Sequence, residues 1–145
     1  MKTKELLPEE FESVFGLLAE AKLDFSDLKQ PNIRLFRFEE NEVMIGVAAL
    51  EIISGEALLR SVAVKPELQG KGFGKAIVGK MEEIARQSGI KALNLLTNTA
   101  ADFFKTNGFQ VIQRPDFAES LKQTAQFAGL CPVSAVCMRK VIGLG

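Results

Sequence analysis

The chain has 145 residues, 47% of them hydrophobic, which suits one ordinary globular domain spanning residues 1–145. Lys and Arg number 18 and Asp and Glu number 18, so the overall charge recruits neither a polyanion such as nucleic acid nor an anionic membrane, and only a local basic site stays open. The chain has no His, Tyr or Trp, which excludes a Ser/His/Asp triad, a His-ligated metal centre and a tyrosine proton donor.

No run of eighteen apolar residues occurs, and Met1-Lys2-Thr3-Lys4-Glu5 leads into an acidic segment and not into a signal-peptide core, so a cytoplasmic protein is expected. Cys131 and Cys137 are too few and too isolated for a disulfide framework or a zinc site and are expected to be reduced thiols.

Thr3 to Leu7 offers the one segment for an opening strand. From Pro8 to Leu23, Phe11, Val14, Phe15 and Leu18 recur at helical spacing behind Glu9, Glu10 and Glu12, which predicts an amphipathic helix with acids at its positive end. Asp24 to Asn32 is polar, precedes a strand at Ile33–Phe38, and a turn follows at Glu40-Asn41-Glu42. Val43 to Ile53 and Ala57 to Val64, rich in β-branched and aliphatic residues around Ser54-Gly55, complete a meander of three antiparallel strands.

Past Lys65-Pro66 the segment Gln69-Gly70-Lys71-Gly72-Phe73-Gly74 opens a long helix whose stripe is Phe73, Ile77, Met81 and Ile84 and whose end is Ser88-Gly89. Ala92 to Leu96 reads as a buried strand, so strand, helix and strand from Ala57 to Leu96 form a parallel crossover, expected to be right-handed. A short helix at Thr99–Asn107 closed by Gly108, a strand at Phe109–Ile112, a helix at Phe117–Phe127 and a last strand at Ser134–Ile142 follow.

Three close glycines after a strand and at a helix start let backbone N–H groups converge without side chains in the way, and the helix dipole adds positive potential, which suits a diphosphate. The same pattern also serves purely structural turns. A P-loop would need Gly-Lys-Ser/Thr, and a dinucleotide site would need a glycine where Lys75 stands.

Gln69-x-x-Gly72-x-Gly74 resembles the acyl-CoA diphosphate signature of the GNAT superfamily of N-acetyltransferases, and Ser61-Val62-Ala63-Val64-Lys65-Pro66 resembles the strand that leads into it. Asn98-x-x-Ala101-x-x-Phe104 followed by Gly108-Phe109 resembles the helix that flanks the pantetheine arm. Leu58-Leu59-Arg60-Ser61, Leu95 to Phe104 and Phe127 to Met138 resemble a narrower branch, found with arsenic-resistance genes and related to amino-acid acetyltransferases. This resemblance covers roughly residues 43 to 140.

The resemblance implies an α/β GNAT fold: a mixed, mostly antiparallel sheet splayed at a central parallel strand pair and flanked by helices. Acetyl-CoA would lie across the gap between the strands ending at Val64 and Leu96. Backbone groups of Val62, Ala63 and Val64 would hold the pantetheine, one N–H polarising the acetyl carbonyl. The segment from Gln69 through Gly70, Lys71, Gly72, Phe73 and Gly74 to Lys75 would take the diphosphate, and Asn98, Ala101 and Phe104 would flank the arm.

Phe104 stands where many members carry a tyrosine acid; loss of a general acid costs on the order of a hundredfold to ten-thousandfold, although water can protonate a leaving thiolate. Glu51 and Glu56 are the base candidates, and each also reads as a solvated surface acid. Strand alternation puts Arg60 on the face of Val62 and Val64, where it would bind a substrate carboxylate or form a structural salt bridge. Thr97 at the end of the next strand, with Cys131 and Ser134 opening the last one, would line the acceptor pocket. A catalytic or arsenic-binding role for Cys131 is not favoured over a small buried hydrophobe. Phe103, Phe109, Phe117 and Phe127 read as core.

The expected activity is transfer of acetyl directly to the amine of a small molecule, a free amino acid or an amino-acid-like toxin. A non-catalytic acetyl-CoA sensor or partner protein is the alternative that Phe104 permits. A protein N-acetyltransferase is the other, and it calls for acidic pocket residues where Arg60 suggests an anionic acceptor. A homodimer is open, with Ala135–Met138 completing a sheet between two copies.

Overall fold

Alternating apolar residues in the first half and one long helical stripe after the glycines become a strand-rich fold in the computed structural model, which describes residues 1–130 and 134–143, Leu130 by its backbone alone. Its strands are β1 (Lys2–Glu5), β2 (Ile33–Glu40), β3 (Val43–Ile53), β4 (Glu56–Val64), β5 (Ala92–Thr97), β6 (Gln110–Ile112) and β7 (Val136–Val141). Its α-helices are α1 (Glu12–Glu20), α2 (Phe73–Gln87) and α3 (Ala101–Thr106). The sheet order is β1-β2-β3-β4-β5-β7-β6. β4 and β5 pair in parallel, Glu56 with Ala92 through Leu58 with Asn94, while β1–β2, β2–β3, β5–β7 and β6–β7 are antiparallel. The expected mixed, mostly antiparallel sheet is therefore present, and the opening strand looked for in Thr3 to Leu7 exists as β1, shifted to Lys2–Glu5.

Both early hairpins close through paired left-handed residues. Asn41 (φ 51°) and Glu42 (φ 66°) link β2 to β3, and Ser54 (φ 53°) and Gly55 (φ 79°) link β3 to β4, the two-residue geometry whose twist matches that of the strands.

The chain divides into two units, Met1–Glu51 with Arg60–Met81, and Ile52–Leu59 with the described residues from Glu82 onward. In the first, α1 turns Val14, Leu17 and Leu18 onto Leu35 of β2, Val47 and Ala49 of β3 and Ala63 of β4, with Leu28 from the α1–β2 loop in the same cluster. The helix expected from Pro8 to Leu23 begins as a 3₁₀ turn, Pro8–Glu10, and α1 proper is shorter. It ends at Lys22, left-handed at φ 59°, where the Leu23 N–H donates to the Leu18 carbonyl (3.0 Å).

In the second unit Leu58, Phe117, Leu121 and Cys137 form one buried apolar cluster. The helix expected over Phe117–Phe127 is corrected to two 3₁₀ turns, Arg114–Asp116 and Glu119–Gln123, and a π turn at Gln126–Leu130. Thr124 is the reason: its Oγ1 donates to the Leu121 carbonyl (2.7 Å) and accepts the Phe127 N–H (3.3 Å), replacing helical backbone bonds. Phe127 then stacks on Phe117 at 5.0 Å, with the Arg114 guanidinium 4.3 Å over its ring.

Burial raises the Cys137 pKa, Arg114 opposing it, so this thiol stays protonated at neutral pH. Cys131 lies outside the described residues. β7 is paired on both edges at Cys137, with Leu96 and Ile112, and at Met138, with Leu95 and Val111, so the expected completion of a sheet between two copies by Ala135–Met138 finds no free edge at those two residues. No described helix is long and apolar enough to cross a membrane.

Gly46 in β3 is where the first unit has no room. A Cβ there would meet the Ala63 carbonyl oxygen at 2.4 Å and Ile77 Cδ1 at 3.0 Å, and backbone cannot yield as a side chain can. Gly46→Ala is expected to destabilise the fold by about 1–3 kcal/mol, seen as a fall of several degrees in the thermal midpoint. An unchanged midpoint would mean that β4 and α2 move apart freely.

Candidate active site

The exit of β4 is held by short-range bonds before the glycines begin. The Lys65 N–H donates to the Ile45 carbonyl (2.9 Å), a 3₁₀ turn covers Pro66–Leu68, and Gln69 Nε2 donates back to the Val64 carbonyl (3.1 Å). Gln69 thus ties the loop to the strand with its side chain. Gly70 (φ 80°) and Gly72 (φ 87°) then take left-handed conformations with nothing within 4 Å of where a Cβ would stand. A side chain at either position would be strained by the backbone and not by a neighbour.

The first bond of the α2 ladder joins the Ala76 N–H to the Gly72 carbonyl (3.2 Å), so the N–H groups of Phe73, Gly74 and Lys75 lie ahead of it. Lys71 and Lys75 are exposed beside them. Orphan donors at the positive end of a 15-residue helix, approached over two open glycines, make a surface for a phosphate-bearing ligand.

Arg60 lies four residues before the end of β4 and its side chain is only 3% exposed. Its two terminal nitrogens grip Asp27 of the α1–β2 loop bidentately, Nη1 to Oδ2 at 2.6 Å, and Nη1 also donates to Glu51 Oε1 of β3 at 3.0 Å. Burial opposes the Arg60 charge, but the two carboxylates outweigh it and raise its pKa further, so the guanidinium stays charged. Ser26 hydroxyl and N–H hold the nearby Asp24 carboxyl below its usual range, with a smaller pull from Arg60.

The expectation that Arg60 shares the face of Val62 and Val64 is corrected by Ser61, which sits at φ 58° in mid-strand and breaks the alternation. Arg60 instead faces Asp27, next to Leu28 of the cluster that holds Ala63, while Val62 and Val64 are half-buried. The carboxylate gripped by Arg60 is the chain's own. A left-handed non-glycine residue costs about 1 kcal/mol, and Ser61 Oγ, buried, has no hydrogen-bond partner among the described residues; Arg60 Nε is in the same state. Nothing in the sequence marks Ser61, because serine carries no left-handed signature.

Glu56 opens β4, at the opposite end of the strand from Val62–Val64. It is buried and accepts from Asn94 Nδ2 of β5 (2.9 Å) and Arg139 Nη2 of β7 (3.1 Å), so it is neither a solvated acid nor beside the strand end expected to meet the cofactor. Thr97 ends β5 with its Oγ1 accepting the Ala100 N–H (3.0 Å), which shapes the entry to α3. Asn98 is exposed and Ala101 half-buried at the start of that helix.

Phe104 is buried edge-on to Phe103 (5.1 Å) and Phe109 (5.5 Å), an aromatic packing role. Ser134 is exposed ahead of β7. Among the described residues no group of three His, Cys, Asp or Glu side chains is placed to hold a metal.

The family model described as Acetyltransferase (GNAT) family matches residues 2–109. An amino-acid acetyltransferase of Aeromonas salmonicida is 32% identical over 80 residues, 54% of this chain and 18% of that protein. The ribosomal protein bS18 alanine N-acetyltransferase of Haemophilus influenzae is 33% identical over 76 residues, 50% of this chain and 52% of the relative. The chain thus spans between a fifth and about half of the length of these relatives. The crystal structure of N-acetylglutamate synthase from Neisseria gonorrhoeae, complexed with coenzyme A and N-acetyl-glutamate, superposes with a TM-score of 0.78 at 16% identity, covering 97% of this chain and 35% of that one, a likeness of fold.

Removing Arg60 leaves Asp27 and Glu51 facing each other without a counterion, and breaking a buried pair of this kind costs about 3–5 kcal/mol. Arg60→Ala should therefore lower the unfolding free energy in urea far more than the exposed Lys71→Ala. A loss below about 1 kcal/mol, the range of a surface ion pair, would show that the triad does not hold the loop to the strands.

Proposed function

We propose that the chain, which belongs to the acetyltransferase (GNAT) family, transfers an acetyl group from acetyl-CoA to the amine of a small substrate. The observation that carries this is the loop from β4 into α2, where Gly70 and Gly72 stand open and left-handed before the orphan N–H groups of Phe73, Gly74 and Lys75. The diphosphate of the substrate fits donors of that kind, which are backbone and unhindered.

In the reaction the neutral amine attacks the thioester carbonyl carbon, a C–N bond forms, the C–S bond breaks and the electron pair leaves on sulfur. The attacking amine must shed a proton and the thiolate must gain one. Glu51 and Glu56 are the base candidates, each acting through a water; both are buried and held, Glu51 by Arg60 and Glu56 by Asn94 and Arg139, so neither is the solvated acid the sequence also allowed. With no Tyr or His in the chain and Phe104 in the acid position, water protonates the thiolate. A backbone N–H of Val62–Val64 polarises the carbonyl.

For the acceptor, a free amino acid or an amino-acid-like toxin is the first reading, supported by relatives named amino-acid acetyltransferase. The finer assignment to the arsenic-resistance-associated branch rests on the motifs of residues 43–140, with Thr97, Cys131 and Ser134 as acceptor-side residues. A second reading, acetylation of a protein amino terminus, gains from the ion triad: with Asp27 and Glu51 against one Arg60, the cluster carries an excess of acid and no longer argues for an anionic acceptor.

Thiol release from acetyl-CoA, measured with free amino acids and with a peptide beginning in alanine, separates these readings. Turnover on one carboxylate-bearing amine supports the first, and turnover on the peptide alone the second. Acetyl-CoA binding without turnover on any of them points to a sensor. Gly70→Ala combined with Gly72→Ala is expected to weaken coenzyme A binding by about tenfold or more in calorimetric titration while the chain stays folded; unchanged affinity would remove the loop from the site.

A further inference from the structure

Four polar side-chain atoms are buried without a hydrogen-bond partner among the described residues: Arg37 Nε, Arg60 Nε, Ser61 Oγ and Asn94 Oδ1. Arg37 Nε itself lies 2.7 Å from Glu39 Oε2 in an ion pair, Arg60 engages Asp27 and Glu51 through its terminal nitrogens, and Asn94 uses its amide nitrogen on Glu56. Ser61 is different, for its single polar group has no partner and its backbone is also held left-handed at φ 58°, in the middle of a strand where an extended residue would fit without strain. Both features work against stability, and folded chains keep such combinations where an outside atom completes them. Ser61 also directly precedes the Val62–Val64 segment.

We propose that the Ser61 hydroxyl donates a hydrogen bond to the carbonyl oxygen of the substrate's acetyl group, adding a side-chain donor to the backbone N–H that polarises that carbonyl. The inference rests on the acetyl-transfer reading of β4. Ser61 keeps its proton throughout; it neither attacks the carbonyl nor takes the proton of the amine. Its contribution grows as negative charge develops on the carbonyl oxygen, so it acts on turnover more than on substrate affinity. The left-handed turn has a purpose in this arrangement, since it takes the hydroxyl out of the ordinary strand alternation.

Ser61→Ala removes the hydroxyl and keeps the Cβ, while Ser61→Gly removes both and adopts φ 58° freely. Both variants are expected to lower kcat at saturating acceptor on the order of a hundredfold. Their thermal midpoints should match or exceed that of the unaltered protein, because the hydroxyl has no partner inside the chain. Retention of kcat within about twofold in Ser61→Gly, or a clear fall of its midpoint, overturns the proposal.

Binding supplies an arm that needs no known acceptor. The unaltered protein should bind acetyl-CoA more tightly than coenzyme A, and Ser61→Gly should reduce that preference roughly fivefold, with the affinity for coenzyme A itself unchanged. An unaltered preference overturns the role of Ser61 and leaves the acetyl-CoA reading standing. Failure of the unaltered protein to bind either thioester or thiol overturns both.

Discussion

Burial of the Arg60 guanidinium is the constraint on which the first unit depends. A charge that is 97% withdrawn from water is tolerable only with partners of opposite sign at hydrogen-bond distance, and Asp27 and Glu51 supply them. One partner comes from the polar loop after α1 and the other from β3, so the same ion cluster that satisfies β4 also fixes where that loop runs. Leu28, next to Asp27, is then carried into the apolar cluster with Val14, Leu18 and Leu35. The loop is ordered by electrostatics on one side and by apolar burial on the other.

The exit of β4 obeys the opposite logic, since it is shaped by backbone more than by charged side chains. Gly70 and Gly72 leave the approach to α2 open and add nothing that could clash, while Gln69 uses its side chain to fasten the loop to Val64. The acyl transfer proposed for a chain without His or Tyr would rest on fixed dipoles at the diphosphate and at the carbonyl oxygen, and a thiolate leaving group makes modest demands on an acid. Phe104 is given to aromatic packing against Phe103 and Phe109.

In the second unit a buried polar network plays the part that the ion triad plays in the first. Glu56, Asn94 and Arg139 come from three neighbouring strands, and their mutual bonds specify the register of β4, β5 and β7 near their shared end. Such a network discourages a one-residue slip, which would leave a carboxylate buried and alone.

What sequence determined by itself was everything that repeats or that only glycine can do. The two-residue period of Ile33–Phe38, the helical stripe through Phe73, Ile77 and Met81, the hairpin turns and the glycine loop were all legible, because each is a local pattern tied to a local geometry. Tertiary structure alone decided who meets whom. Arg60 had the pattern of a ligand-binding arginine, yet Asp27, 33 residues away, claims it. Ser61 looked like any strand residue, yet its backbone is left-handed in the fold. Thr124 turned an apolar helical pattern at Phe117–Phe127 into 3₁₀ and π turns, and β7, apolar enough to sit at an interface, was enclosed by β5 and β6. The physical reason is common to all four: periodicity records which face of a segment is buried, whereas the partner of a charge, a hydroxyl or a strand edge depends on contacts between residues far apart in the chain, which no local window contains.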